Sequence, residues 1–296
     1  MQTELLVDAK NAVGESPLWH ATEQALYWVD IPAKALHQLK PGLGVKTWHA
    51  SEMIGCIAMH ASGGFIAGME SGVFHLQPQA NGSMYEAKLA SIEHAAQGMR
   101  FNDGRCDRQG RFLAGTMLMN MPDSRQEGCV VCYENKSDLR PMMRGLFTPN
   151  GMAFSPDGQT MYLSDSHPNS QLIWAFDYDT ASGTPFNQRV FVDMTHLPGR
   201  PDGAALDTDG CYWICGNDAG LVHRFTPDGK LDQSLAVPVK KPSMCSFGGA
   251  DMKTLYVTSI RPANMDLSDQ HLAGGVFALR PGAQGIPEPV FQPALL

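Results

Sequence analysis

The sequence predicts an all-β fold: a six-bladed β-propeller with four-stranded blades around a central channel. Three observations predict it. A short motif recurs six times along the 296 residues, further strand-like runs follow each copy, and 30 glycines and 20 prolines punctuate the whole chain instead of one linker. Short strands joined by Gly- and Pro-rich turns mark an all-β chain, and four strands per repeat of about 40 to 50 residues mark propeller blades. Two stacked sandwiches would account for the strands but not for the period.

The repeat is plainest in the middle of the chain. Residues 102–110 (NDGRCDRQG), 150–158 (NGMAFSPDG) and 202–210 (DGAALDTDG) lead into the apolar runs 112–114, 161–163 and 212–214. Each reads as strand, Asp/Gly turn, strand. Fainter copies are 15–19 (ESPLW), 55–59 (GCIAM) and 243–247 (SMCSF), with second strands at 26–28, 65–67 and 255–257. The six units therefore open at Glu15, Gly55, Asn102, Asn150, Asp202 and Ser243, at successive intervals of 40, 47, 48, 52 and 41 residues. Third strands are expected at 35–39, 73–76, 129–133, 172–177, 222–225 and 276–279, and most units add a fourth, such as QRVFV at 188–192. Six such units occupy one domain spanning 1–296. The stretch ELLV at 4–7 fits the missing fourth strand of the last blade, with PVF at 289–291 competing for that place.

Hydrophobic content of 43% and charged content of 18% suit a chain with a substantial core. The net charge of −8 comes without a long run of either sign and without a basic stripe, so nucleic acid is not expected as a partner. No apolar run approaches the roughly 18 residues of a membrane span. The first residues lack a basic region followed by a long apolar one, so no signal peptide is expected and the location is read as cytoplasmic. Seven cysteines, an odd number, argue against a complete disulfide framework. Cys129 and Cys132 form a C-x-x-C, but three residues along a strand reverse the face, so the pair is read as packing and not as a chelate.

In a propeller the first strand of every blade lines the channel, so the six opening positions form a ring around the axis. Four of the six, Glu15, Asn102, Asn150 and Asp202, carry a carboxylate or amide oxygen. Oxygen donors of this kind favour a hard divalent cation such as Ca²⁺, Mg²⁺ or Mn²⁺ and leave positions open for water and substrate. The same Asn-Gly and Asp-Gly pairs also serve as plain turn formers. There is no His-x-His, no H-E-x-x-H and no G-x-S-x-G, which points any hydrolysis towards an activated water and away from a covalent serine. Cys56 and Ser243 fall near the channel and are read as packing residues.

At these residues the chain resembles the SMP-30/gluconolactonase/luciferin-regenerating family. The matching motifs are GESPLW at 14–19, RFNDG at 100–104, GRFLAGTM at 110–117, PNG at 149–151, PDG at 201–203, FGG at 247–249 and AGGVF at 273–277, in family order along nearly the whole chain. The resemblance implies a six-bladed propeller with one divalent metal ion (Ca²⁺, Zn²⁺, Mn²⁺ or Mg²⁺) held by Glu15, Asn150 and Asp202. It implies that Arg100 and Asn102 bind the substrate and that Asp202 doubles as the general base. Asp103 either orients its neighbours or only forms the turn. Some members place an acidic residue shortly after the GTM run. Here Leu118, Met119, Asn120 and Met121 follow, so Asn120 offers only a neutral hydrogen bond and the pocket wall is more apolar. The expected activity is metal-dependent opening of a sugar lactone, an aldono-1,4- or 1,5-lactone, to the aldonic acid. The alternatives are hydrolysis of another small ester or phosphotriester, and a non-enzymatic calcium-binding or scaffold propeller.

Overall fold

The computed structural model describes residues 3–123, 125–134, 138–263 and 265–293. It contains six four-stranded antiparallel sheets. Five are simple meanders of consecutive strands, with inner strands Gly14–His20, Ile54–Met59, Met99–Cys106, Pro149–Phe154 and Arg200–Leu206. The sixth starts at Pro242–Gly248, continues through Thr254–Ser259 and Val276–Leu279, and takes its outermost strand, Glu4–Val7, from the N-terminus. The N-terminal stretch thus closes the ring, tying the last blade to the beginning of the chain. The competing segment around Phe291 makes only an isolated parallel bridge to His60.

Each blade is apolar on both faces because each face packs on a neighbour. This is why whole strands are buried without alternation, as in Phe112–Leu118 and Tyr212–Asn217. The buried side chains gather into six clusters, one per cleft between adjacent blades. Cys129 and Cys132 contribute to different clusters on the two faces of their strand, as a strand's period of two requires. All seven cysteines are free. The outer strands, such as Leu231–Ala236, are largely exposed. Among the described residues no helix is long and apolar enough to cross a membrane.

The Asp/Gly turns of the repeat lie at the end of the blades remote from the opening positions. In blade five Asp207 Oδ1 accepts the N–H groups of Asp209 (3.0 Å) and Cys211 (2.9 Å), and Gly210 takes a φ of 77° that other residues rarely adopt. Asp107 does the same for Gln109 and Arg111 in blade three.

The C-terminal segment crosses this same end. Arg105 points down from the inner strand of blade three, pairs with Glu288 at 2.7 Å and donates to the Ala204 carbonyl at 2.6 Å. The cavity left beside this pair is only about 10 Å³, so the channel is plugged here. Further on, Phe291 is buried against Tyr133 and His60, and His60 stacks on His75 with ring centroids 4.0 Å apart. His60 Nδ1 accepts the Ser62 N–H at 3.1 Å, which requires that nitrogen to be unprotonated.

Burial and then the neighbouring His75 lower the pKa of His60 from 6.5 to about 4. A histidine lowered on folding adds stability above its unfolded value, and this is lost as pH falls from 6.5 towards 4. Stability measured by denaturant titration is therefore expected to fall less steeply over that window in His60→Gln than in the wild type. Parallel curves for the two proteins would refute the assignment.

Candidate active site

Every inner strand breaks register at its opening position. The shifts fall between Glu15 and Leu18, Ile54 and Cys56, Phe101 and Gly104, Asn150 and Ala153, Pro201 and Ala204, and Pro242 and Cys245. A bulge bends a strand and re-aims the side chains within it, and here all six bulges occur at one level of the ring. Gly151 shows why the sequence is constrained there. Its φ is 58°, its carbonyl accepts the Tyr212 hydroxyl at 2.6 Å, and a Cβ would meet Ser164 Oγ at 2.8 Å and the Asp202 carbonyl at 2.9 Å.

Asp202, from blade five, is the most constrained carboxylate. Its Oδ1 accepts Asn150 Nδ2 at 2.5 Å and its Oδ2 accepts Asn217 Nδ2 at 2.5 Å. Burial raises its pKa to about 7, against the opposing charge of Arg200 and the Asn217 hydrogen bond. Glu15, from blade one, accepts only a long 3.3 Å contact from the Ser16 N–H. Burial, followed by the charges of Asp202 and Asp103, pushes its carboxyl well above the usual range. The bulges therefore bring Glu15 and Asp202, 187 positions apart (202 − 15), into electrostatic contact.

Asn102 bridges two blades, donating to the Pro149 carbonyl at 3.1 Å and accepting Arg100 at 2.9 Å. Arg100 also donates to the Phe101 carbonyl at 2.7 Å, and burial lowers it to about 10. Its guanidinium thus bonds two neutral oxygens and no carboxylate. Asp103 clamps blade four to blade three by accepting the Met152 N–H at 2.8 Å, so it holds the Asn150 bulge in place. Asn120 stands apart from this group. It is exposed in the loop following Phe112–Leu118, at the same end of the channel, where its carbonyl accepts the Asp123 N–H.

The other two ring positions, Gly55 and Ser243, and the neighbouring Cys56 are structural. At Gly55 a Cβ would overlap the Phe101 carbonyl. Cys56 is fully buried in the cleft between blades two and three. The Ser243 hydroxyl donates to the Gly14 carbonyl and ties blade six to blade one.

Asn217 escaped the sequence reading. It ends the second strand of blade five, pairs across from Arg200, and lies one residue beyond the place that Asp30 takes in blade one and Asp165 in blade four. Those two aspartates each hold a pair of backbone N–H groups. Blade five has Gly216 in place of the aspartate, which was the available signal that it differs.

Glu15, Asn150 and Asp202 present oxygen donors only, and two carry buried like charges without a bonded cation. Asp103 Oδ1 and Asn217 Oδ1 are buried nearby without a partner. Buried carboxylates are normally paired or bound to a metal, so this donor set fits a hard divalent ion. Among the described residues no group of three or more His, Cys, Asp or Glu assembles, because one of the three donors is an amide. The more voluminous surface grooves, of about 480 Å³ beside Tyr27 and Trp48 and about 430 Å³ beside Trp19 and Tyr256, lie on the outer parts of the blades and do not include the ring.

The model of the SMP-30/Gluconolactonase/LRE-like region matches residues 13–261. The 6-deoxy-6-sulfogluconolactonase of Pseudomonas putida is 40% identical over 97% of each chain. Regucalcin of Oryctolagus cuniculus is 32% identical over 93% of each chain. Among solved structures, a calcium-binding protein, regucalcin, from Agrobacterium tumefaciens str. C58 superposes with a TM-score of 0.88 at 26% identity, covering 97% of this chain and 96% of that one. The match spans the whole ring of inner strands that builds the site, and the chain belongs to the SMP-30/gluconolactonase/LRE-like family.

Proposed function

We propose that this chain hydrolyses a sugar lactone to the aldonic acid at the open end of its channel, with one divalent cation held by Glu15, Asn150 and Asp202. The observation that carries the reading is the convergence of two buried, charge-strained carboxylates and an amide at one level of a channel plugged at its other end. The lactonase at 40% identity over nearly the full length supports a sugar lactone as the substrate class. Lactone opening is a carboxylic ester hydrolysis.

An ion held there by Glu15, Asn150 and Asp202 would supply a Lewis acid for the lactone carbonyl and would activate the attacking water. Asp202 accepts the proton from the attacking water as the water oxygen adds to the carbonyl carbon. The bond from that carbon to the ring oxygen then breaks, and the ring oxygen takes up the proton that Asp202 accepted. Asn150 and Asn217 fix the Asp202 carboxylate in one orientation while this happens. Arg100, free of any carboxylate, and Asn102 bind the sugar hydroxyls and the developing product carboxylate. Asn120, on the rim, offers its amide to the part of the sugar that projects from the channel.

The test is hydrolysis of a panel of aldono-1,4- and 1,5-lactones by chelator-treated protein, before and after adding Ca²⁺, Mg²⁺, Mn²⁺ or Zn²⁺. Turnover is expected to disappear on chelation and return with at least one ion. Full activity in the chelated protein would overturn the metal assignment. Ion binding without turnover of any lactone would identify a binding protein instead.

A further inference from the structure

A group of cations sits beside the site that the proposed reaction does not use. Arg200 opens the inner strand of blade five, two residues before Asp202. Its Nε lies 2.6 Å from Asp218 Oδ2 and one guanidinium nitrogen donates to the Ser166 carbonyl at 2.9 Å. Lys241, just ahead of the inner strand of blade six, reaches the other oxygen of the same Asp218. Two cations therefore share one carboxylate and leave a surplus positive charge. The side chains of Arg200 and Lys241 remain 21% and 18% exposed, so a solute can reach them.

Among the described residues Asp218 is the only carboxylate that bonds either cation, and Asp202 feels the Arg200 charge without bonding it. Ile260 donates its N–H to the Lys241 carbonyl, and the next residue, Arg261, has no ion pair among the described residues. Arg100, from blade three, bonds only neutral oxygens. On the blade-two side, Glu52 and Glu70 accept the backbone N–H groups of Ser71 and Met53, and neither bonds Arg200 or Lys241. Asp269 is taken by Lys240. The 118–121 stretch supplies two methionines and an amide where a carboxylate would have opposed an anion. Asp218 is itself held at a φ of 77°, a conformation unfavourable for a residue with a Cβ, and its side chain is 42% exposed. A strained, exposed carboxylate gripped by two cations occupies the place that an anionic group of a ligand would take.

We propose that Arg200 and Lys241 form an anion subsite that selects aldonolactones bearing a sulfonate or a phosphate ester at the end of the sugar remote from the lactone carbonyl. The inference rests on the lactonase reading above. The guanidinium fork and the ammonium engage the oxyanion by charge-assisted hydrogen bonds, and Asp218 swings aside towards solvent.

Binding of the product acids separates the subsite from the chemistry. Calorimetric titration with gluconate, 6-phosphogluconate and 6-deoxy-6-sulfogluconate is expected to show the two charged acids binding about tenfold or more tightly than gluconate. Arg200→Gln and Lys241→Gln should each cut that preference by about tenfold, and Asp218→Asn should increase it by releasing both cations. In kinetics, the ratio of kcat/KM for charged over neutral lactone should move in the same directions. Lys241→Gln and Asp218→Asn keep the test decisive should Arg200→Gln fail to fold. Equal affinity for gluconate and the charged acids, or a preference that survives both glutamine variants, would overturn the subsite. The phosphate and sulfonate arms show which anion it takes. Turnover of neutral and charged lactones with equal efficiency would leave the lactonase reading standing and remove the subsite. Charged acids that bind through Arg200 without turnover of any lactone would do the reverse.

Discussion

Replacing Asp202 by asparagine is expected to abolish lactone turnover while making the metal-free protein more stable. The loss follows from removing the proton acceptor and one of two anionic donors, and is put at about 10² to 10⁴-fold in kcat. The gain follows from burial. A carboxyl whose pKa climbs from 3.8 to about 7 on folding costs the folded state on the order of 4 kcal/mol once the pH exceeds both values. Asparagine removes that cost without changing the shape of the side chain.

The hydrogen bonds survive the exchange. Asn150 Nδ2 donates to one oxygen of Asp202 and can donate equally to an amide oxygen. Asn217 Nδ2 would face the new NH₂ group, but Asn217 Oδ1 has no partner and accepts from it after a flip of the amide. The checks are steady-state kinetics and a thermal melt of chelated protein at pH 8. Activity within tenfold of the wild type would rule out the proposed role. A lower Tm than the wild type would show that the buried charge is stabilised in the apo protein after all.

Asp207→Ala is expected to act in the opposite sense, lowering stability by about 3–5 kcal/mol, the range for breaking a buried ion pair from one side. Asp207 is fully buried at the far end of blade five. It accepts two backbone N–H groups, the Trp213 indole at 2.8 Å and Arg224 at 2.8 Å. Alanine leaves the indole and both amides without a partner in a dry setting. Arg224 keeps Asp209 and Asp232, which limits the damage at that group. The expected fall in Tm is on the order of 10 °C. A change under about 1 kcal/mol would show that water reaches the turn and replaces the lost acceptor. The residue lies at the plugged end, so any activity that remains should keep the wild-type KM.

Much of this architecture was legible because a propeller repeats itself. Burial of both faces of every blade forces long apolar strands, and the turns between them force Asp and Gly at fixed offsets, as at 107–110 and 207–210. The six opening positions share one pattern for this reason. Roles within the ring were harder to read, because Asn-Gly and Asp-Gly look alike whether they form a turn or aim a side chain. Ser243 and Asn150 occupy equivalent places, yet one hydroxyl joins two blades while the other side chain faces a carboxylate.

Sequence by itself determined the blade count, the strand order within each blade and the ring of residues at the channel, since these follow from local periodicity and turn chemistry. Only the tertiary structure decided that the N-terminal strand closes the ring, that Glu288 meets Arg105 at the far end while Phe291 fills the cleft between blades two and three, and that Asn217 holds Asp202. It also decided that Arg200 and Lys241 share Asp218. These are contacts between segments distant in the chain or on neighbouring blades. Their energies depend on burial and on which charges meet, and no local pattern in a sequence encodes either.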